Sequence, residues 1–222
     1  MESLSVVIPA FEAEKYIAEA IGSVRAQNWQ GEVEIIVVDD GSGDNTAGVA
    51  EKLNTKVFRK SRGGAASARN MGLKEAAGEL VLMLDADDVL TDGALDALYA
   101  PMAQKPECMA VFARAVDFVS SELTDEQKAQ LKPRSGSYGG VLPGCSLIKR
   151  EVFEKIGLFD DTMSSGETVQ WQLKLRDSGL TAVSIDFVTL ERRLHLTNTG
   201  RVQARQEMAN YAALLRKRMK RT

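Results

Sequence analysis

Three short apolar runs constrain this chain more than any other feature. Residues 4–8, 33–38 (VEIIVV) and 79–84 (ELVLML) are each long enough for a buried strand and too short for a helix. The first stops at Pro9, the second at Asp39-Asp40-Gly41-Ser42, and the third at Asp85-Ala86-Asp87-Asp88. Between the first two, Ile17, Ala20, Ile21 and Val24 keep helical spacing, so residues 14–27 are expected to form an amphipathic helix. Asp44 or Asn45 can cap a further helix. A short strand over 56–59 and a loop and helix over 63–77 then lead to the third run. Strand and helix in alternation require right-handed crossovers, hence an α/β fold with a mostly parallel sheet and helices on both faces.

The pattern loosens after Leu98. A strand is expected over 109–119, then a polar stretch over 120–137 that forms a loop or a short helix with loops. An apolar segment over 141–148 and a short helix over 150–156 follow. Val169/Leu173 and Trp171/Leu175, each four apart, mark a longer helix over 167–178. A strand over 181–188 and a terminal helix over 203–219 complete the reading. With no internal repeat and no low-complexity linker, residues 1–222 are expected to be one domain, its halves 1–100 and 101–222 sharing a core.

Charge is distributed unevenly. Residues 201–222 hold seven Lys or Arg against one Glu, so of the net −3 they contribute +6 and leave −9 to the rest. An acidic body repels nucleic acid, which is not expected as a partner. The basic segment, with Met208, Tyr211, Leu215 and Met219 on one stripe, is read as a docked or solvated helix, the alternative being peripheral contact with an anionic membrane. No run of about 18 apolar residues suggests a span, and the opening residues do not resemble a secretory leader, so a cytoplasmic location is expected. Cys108 and Cys145 lie in apolar surroundings. They are read as buried thiols or a pair and do not build a zinc site.

In open α/β sheets, ligands bind at the carboxyl ends of the strands. Acids crowded there repel one another unless a cation offsets them, and Mg²⁺ or Mn²⁺ held by carboxylates together with substrate phosphates would do so. Asp-x-Asp is a weak signal alone and a better one directly after a buried strand. Asp87 is read as a metal ligand, whereas Asp88 and Asp92 are read as turn or cap residues. Neither Gly-x-Gly-x-x-Gly nor the P-loop pattern occurs, which removes most support for dehydrogenase and P-loop readings. Residues 63–70 (GGAASARN) form a Gly-rich entry to a helix that suits either an anion or close packing.

Taken in order, SVVIPAFEAEKYIAEAIGSVRAQ, EIIVVDDGSGDNT, GGAASARNMGL, GELVLMLDADD and GCSLIKREVFEKIGLFDD resemble the motifs of family 2 glycosyltransferases. The resemblance implies a GT-A fold with a Rossmann-like sheet, a nucleotide-sugar donor (a uridine one for preference) and a divalent metal. It also implies residue roles. Pro9, Ala10, Phe11 and Glu12 would line the base and ribose site, Asp40 would bond the base, and Arg69 would lie beside it. Asp85 and Ala86 would approach the ribose or sugar, and Asp87 would bind the metal. His195, the sole histidine, would sit near the metal or diphosphate as a second ligand, with Arg192 and Arg193 on the diphosphate. At the start of the acceptor-side helix the family commonly has Glu-Asp, with the Asp as catalytic base. This chain has Glu167-Thr168, which passes the role to Glu167. Inverting transfer to a glycan, lipid-linked or peptide acceptor is therefore expected. A catalytically silent binding protein and a sugar nucleotidyltransferase are the alternatives.

Overall fold

The computed structural model describes residues 2–139, 142–163 and 165–198; the expected helix over 203–219 and its basic stripe lie outside them. The first half alternates as expected: β1 (Leu4–Ala10), α1 (Ile17–Arg25), β2 (Val33–Asp39), α2 (Thr46–Lys52), β3 (Lys56–Arg59), α3 (Ala65–Glu75) and β4 (Leu80–Met83). β1 pairs in parallel with β2 on one side and β4 on the other, and β3 adds in parallel to β2. β1 is buried at every residue, which explains its nearly continuous apolar sequence. The pairing with β4 stops at Val7, so Pro9, which has no N–H to donate, lies beyond it. Winding runs outward from β1 to β3 and then returns to β4 on the other side of β1. The crevice at the carboxyl ends of β1 and β4 is therefore the topological switch point where such sheets bind ligands.

The second half adds β5 (Val89–Leu90), α4 (Ala94–Gln104), β6 (Ala110–Val119), α5 (Asp125–Ala129) and β7 (Tyr138–Gly139). A single 3₁₀ turn (Pro143–Cys145), β8 (Ser146–Lys149), α6 (Arg150–Ile156), α7 (Glu167–Asp177) and β9 (Ala182–Leu194) follow. β8 runs antiparallel between β4 and β6 and joins the halves into one sheet, ordered β3-β2-β1-β4-β8-β6-β9-β5, with β7 on β6. β9 is parallel to β6 and antiparallel to β5. The sheet is thus parallel in the first half and mixed beyond β4.

One helix was not anticipated, and one strand runs further than expected. α4 buries Ala94, Leu95, Leu98 and Met102 on one face, but Pro101 interrupts its helical pattern in the sequence. β9 continues past residue 188 to Leu194, because β6 carries it in register to Val119↔Leu194. Arg192 and Arg193 therefore lie inside the strand and point to opposite faces.

One face of the sheet packs Leu4, Val6 and Ile8 against Ile17, Ile21 and Leu98. The other packs Val7, Ile36 and Val38 with Leu73, Val152, Phe153 and Trp171. Trp171 is fully buried, its ring centroid 4.8 Å from Phe153 and 5.6 Å from Phe159; truncating it would cost roughly 3–5 kcal/mol. Against this face α3 comes so close that a Cβ on Gly72 would lie 2.3 Å from Val7 Cγ1. Cys108 and Cys145 are both free and buried, so they form no pair, and burial pushes the Cys145 thiol up to about 12. Among the described residues no helix is long and apolar enough to cross a membrane.

Candidate active site

The turns after β1 and β2 are tied together at the switch point. Glu12 donates its N–H to Ser42 Oγ at 3.0 Å and accepts from the Gly43 N–H at 2.7 Å. It does so at φ +50°, a sparsely populated conformation for a side chain of its size and one that clusters at functional sites. Phe11, just before it, is 40 % exposed. Asp40 is buried at the end of β2 and accepts from the N–H groups of Gly63 (2.9 Å) and Gly64 (2.7 Å) and from Lys60 Nζ (2.6 Å). The Gly-rich entry to α3 therefore does serve an anion here, and that anion is the protein's own carboxylate.

Arg69, one turn into α3, is 5 % exposed and reaches two carboxylates. Nη2 bonds Asp85 Oδ1 at 2.8 Å, and Nη1 bonds Glu167 Oε1 at 2.9 Å. Burial works against its charge, but Asp85 and Glu167 outweigh that and raise its pKa. Glu167 is the first residue of α7, entered through Gly166 at φ +83°. The hydrogen bonds it accepts, from Arg69 and from Thr168 Oγ1 at 3.4 Å, both go to Oε1.

The Asp-x-Asp segment is a turn closed by the Asp88 N–H on the Asp85 carbonyl at 3.1 Å. Asp87 Oδ2 meets His195 Nε2 at 2.9 Å and Asn198 Nδ2 at 3.1 Å. Asn198 also accepts the His195 N–H at 2.6 Å, and His195 Nδ1 lies 3.0 Å from Thr197 Oγ1, so the ring is fixed on both sides. Asp88 accepts the Arg193 N–H at 2.9 Å. Burial, then the charges of Asp87 and Asp85, push its carboxyl well above the usual range. Arg193 bonds the Asp87 carbonyl through Nε at 2.9 Å, pairs with Glu19 of α1, and lies over Phe118 and Tyr16.

The sequence of residues 5–157, more than half of the chain, matches the family described as Glycosyl transferase family 2. The chain belongs to this family. A relative from Streptococcus pneumoniae, glycosyltransferase GlyG, is 26 % identical over 218 residues, spanning 86 % of this chain and 71 % of the relative. Among solved structures, Staphylococcus aureus TarS 1-349 in complex with UDP-GlcNAc superposes with a TM-score of 0.73 at 22 % identity, over 89 % of this chain and 60 % of TarS 1-349. GalNAc-T7 with UDP, GalNAc and Mn²⁺ superposes with a TM-score of 0.68 at 20 % identity, over 89 % of this chain and 45 % of that one. The fold is GT-A, and the protein is a glycosyltransferase; the nucleotidyltransferase alternative falls.

In this family 2 glycosyltransferase the structure brings Asp85, Arg69 and Glu167 together, and separately Asp87 and His195. Arg69, expected beside the base, lies inside the protein between the two carboxylates. Arg193 was expected on the diphosphate, yet it is 4 % exposed and held by Glu19, Ser120 and the Asp87 carbonyl. Any anion would have to take it from them. Arg192 faces Asp117 at 3.8 Å on the opposite side of β9. Asp88 and Asp92 both lie in turns, as expected, and neither caps α4, whose N-cap is Gly93. Sequence reasoning missed Asn198 and Lys60. The signal for Asn198 is faint: an Asn three residues past the histidine, in a loop where its amide can bond nearby backbone. Asp87 and His195 offer an oxygen and a nitrogen donor side by side, a mixed pair that suits Mn²⁺ better than Mg²⁺, which takes oxygen ligands. Among the described residues no group of three or more His, Cys, Asp and Glu is gathered for a metal.

Proposed function

We propose that this glycosyltransferase moves a sugar from a nucleoside diphosphate sugar, a uridine one, to an acceptor nucleophile with inversion. The observation that supports this most is the Asp85–Arg69–Glu167 bridge. It places a carboxylate of the acceptor-side helix one guanidinium away from the carboxylate that ends β4. The solved relatives with UDP, UDP-GlcNAc or UDP and GalNAc support the choice of donor.

In this reading the base sits by Phe11 and Asp40, the ribose and sugar by Asp85 and Ala86, and the diphosphate by Asp87. Glu167 takes the proton of the acceptor nucleophile as the new bond to the anomeric carbon forms. The bond from that carbon to the diphosphate oxygen breaks, and the electron pair leaves with the nucleoside diphosphate. Asp87 and His195 would hold a divalent cation completed by diphosphate oxygens and water; when bound, it supplies positive charge to the leaving group. Arg69 fixes Glu167 and Asp85 relative to each other, and Arg193 and Asn198 hold Asp87 and His195. Thr168, where the family has Asp, supports a second reading, a family member that binds the nucleotide-sugar without transferring it.

A thermal-shift panel of nucleotide-sugars with and without Mn²⁺ tests the donor. A true donor at 100 times its dissociation constant adds about 2.7 kcal/mol of stability. If no nucleotide-sugar shifts the melting temperature, the proposal fails. Slow, Asp87-dependent hydrolysis of the bound donor would rule out the silent reading.

A further inference from the structure

Phe11 offers a flat, exposed ring at the switch point, but one face is already taken. The guanidinium carbon of Arg62 lies 3.1 Å from the ring centroid, which leaves no room for a second flat group between them. The backbone that carries Arg62 is held from several sides. Gly41, at φ +79°, lets the loop approach so closely that a Cβ there would lie 3.0 Å from Arg62 N. Asp40 grips the N–H groups of Gly63 and Gly64, and Lys60 spans Asp40 and the Ser61 carbonyl. The Arg62 residue itself is exposed. An anchored loop thus places an exposed cation on the exposed ring of Phe11.

We propose that Arg62 is a built-in plug of the base site: it occupies in the free protein the face of Phe11 on which the donor's base stacks, and the base must displace it. This rests on the reading that Phe11 and Asp40 receive the base. A ligand without a base leaves the plug in place, so the contact lowers the affinity of base-bearing ligands alone. An exposed cation–π contact of this kind is worth a two- to fivefold change in affinity, about 0.5–1 kcal/mol.

Calorimetry with uridine diphosphate and with inorganic pyrophosphate, each with Mn²⁺, tests this on the full chain. Arg62→Ala is expected to bind uridine diphosphate two- to fivefold tighter and pyrophosphate no tighter, with Arg62→Lys in between. In a Phe11→Ala background, Arg62→Ala should change nothing, because the face that it blocks is gone. Unchanged melting temperatures confirm that the variants fold. If Arg62→Ala binds uridine diphosphate equally or more weakly, the plug is overturned while the donor reading stands. If uridine, guanosine and adenosine diphosphates all fail to bind both wild type and Arg62→Ala, the donor reading falls and the plug falls with it. Binding by Arg62→Ala alone would be the strongest support.

Discussion

Arg69 and Glu167 are 98 residues apart in the chain and bonded at 2.9 Å in the fold. One end of that contact is a buried guanidinium on α3 in the first half of the chain, and the other is the first residue of α7. Losing the guanidinium leaves Asp85 and Glu167 facing each other without a cation. Breaking a buried pair costs about 3–5 kcal/mol, and partial exposure of Asp85 screens some of this, so Arg69→Met should lose roughly 2–3 kcal/mol. The urea midpoint should fall at unchanged slope. Arg69→Lys should recover part of the loss, since it keeps the charge without the two-pronged fork. A midpoint equal to wild type would show that the bridge contributes nothing to stability.

Glu167→Gln keeps an oxygen for Arg69 to bond but cannot take a proton. Turnover should drop by two or more orders of magnitude, the usual scale for a general base, while donor affinity stays nearly constant. Steady-state rates with saturating donor decide this. Normal turnover would move the role elsewhere, with Asp160 and Asp161 next in line. Asp160 is the less available of the two, since Thr162 and Gln170 bond it.

Asn198 touches both Asp87 and the His195 backbone, so it should matter to a cation that it does not ligate. Metal affinity typically falls 10- to 100-fold when such a supporting residue is removed. Asn198→Ala should therefore bind Mn²⁺ at least about tenfold more weakly in the presence of nucleoside diphosphate. In the wild type, metal and nucleotide should tighten each other's binding, and calorimetry with each titrated in the presence of the other measures both effects. Retention of full Mn²⁺ affinity by Asn198→Ala would remove it from the site.

Much of this site was legible before the fold was known, and the reasons differ by residue. β1, β4 and residues 35–38 of β2 are buried on both faces, so their sequences are nearly continuous apolar runs, and the acids that follow β2 and β4 come at one edge of the sheet. Arg192 and Arg193 read as the polar residues after a strand. The groups that accommodate them in β9, namely Asp117, Glu19 and Ser120, are distant in sequence and leave no periodic trace. The same holds for Arg69: its place next to Asp85 and Glu167 depends on how α3 and α7 pack. α4 went unread, although its buried stripe at 95, 98 and 102 keeps helical spacing.

Acid should weaken the fold through the contact between α1 and the segment after β6. Glu122 accepts from Ser120 Oγ and Tyr16 OH at 2.5 Å each. Burial favours the neutral acid, but these hydrogen bonds outweigh it and lower the carboxyl from 4.5 to about 2. A depressed carboxyl contributes stability that is complete above pH 4.5 and is lost as pH falls toward about 2. Melting temperatures of wild type and Glu122→Gln should differ most above pH 4.5 and converge as the acid is protonated. Because Glu122 is exposed, solvent screening keeps this difference small. Parallel curves across the window would count against the contact.

The missing side chain at Gly72 acts as a length gauge. With no Cβ to strike Val7, α3 can rest directly on β1. That stand-off sets how far above the sheet Arg69 sits, one turn earlier on the same helix. A single methyl at this position would lift the helix and move a guanidinium that must meet two carboxylates at once. The reach of Arg69 to its two carboxylates is therefore set in part by a residue with no side chain at all, packed against the back of β1.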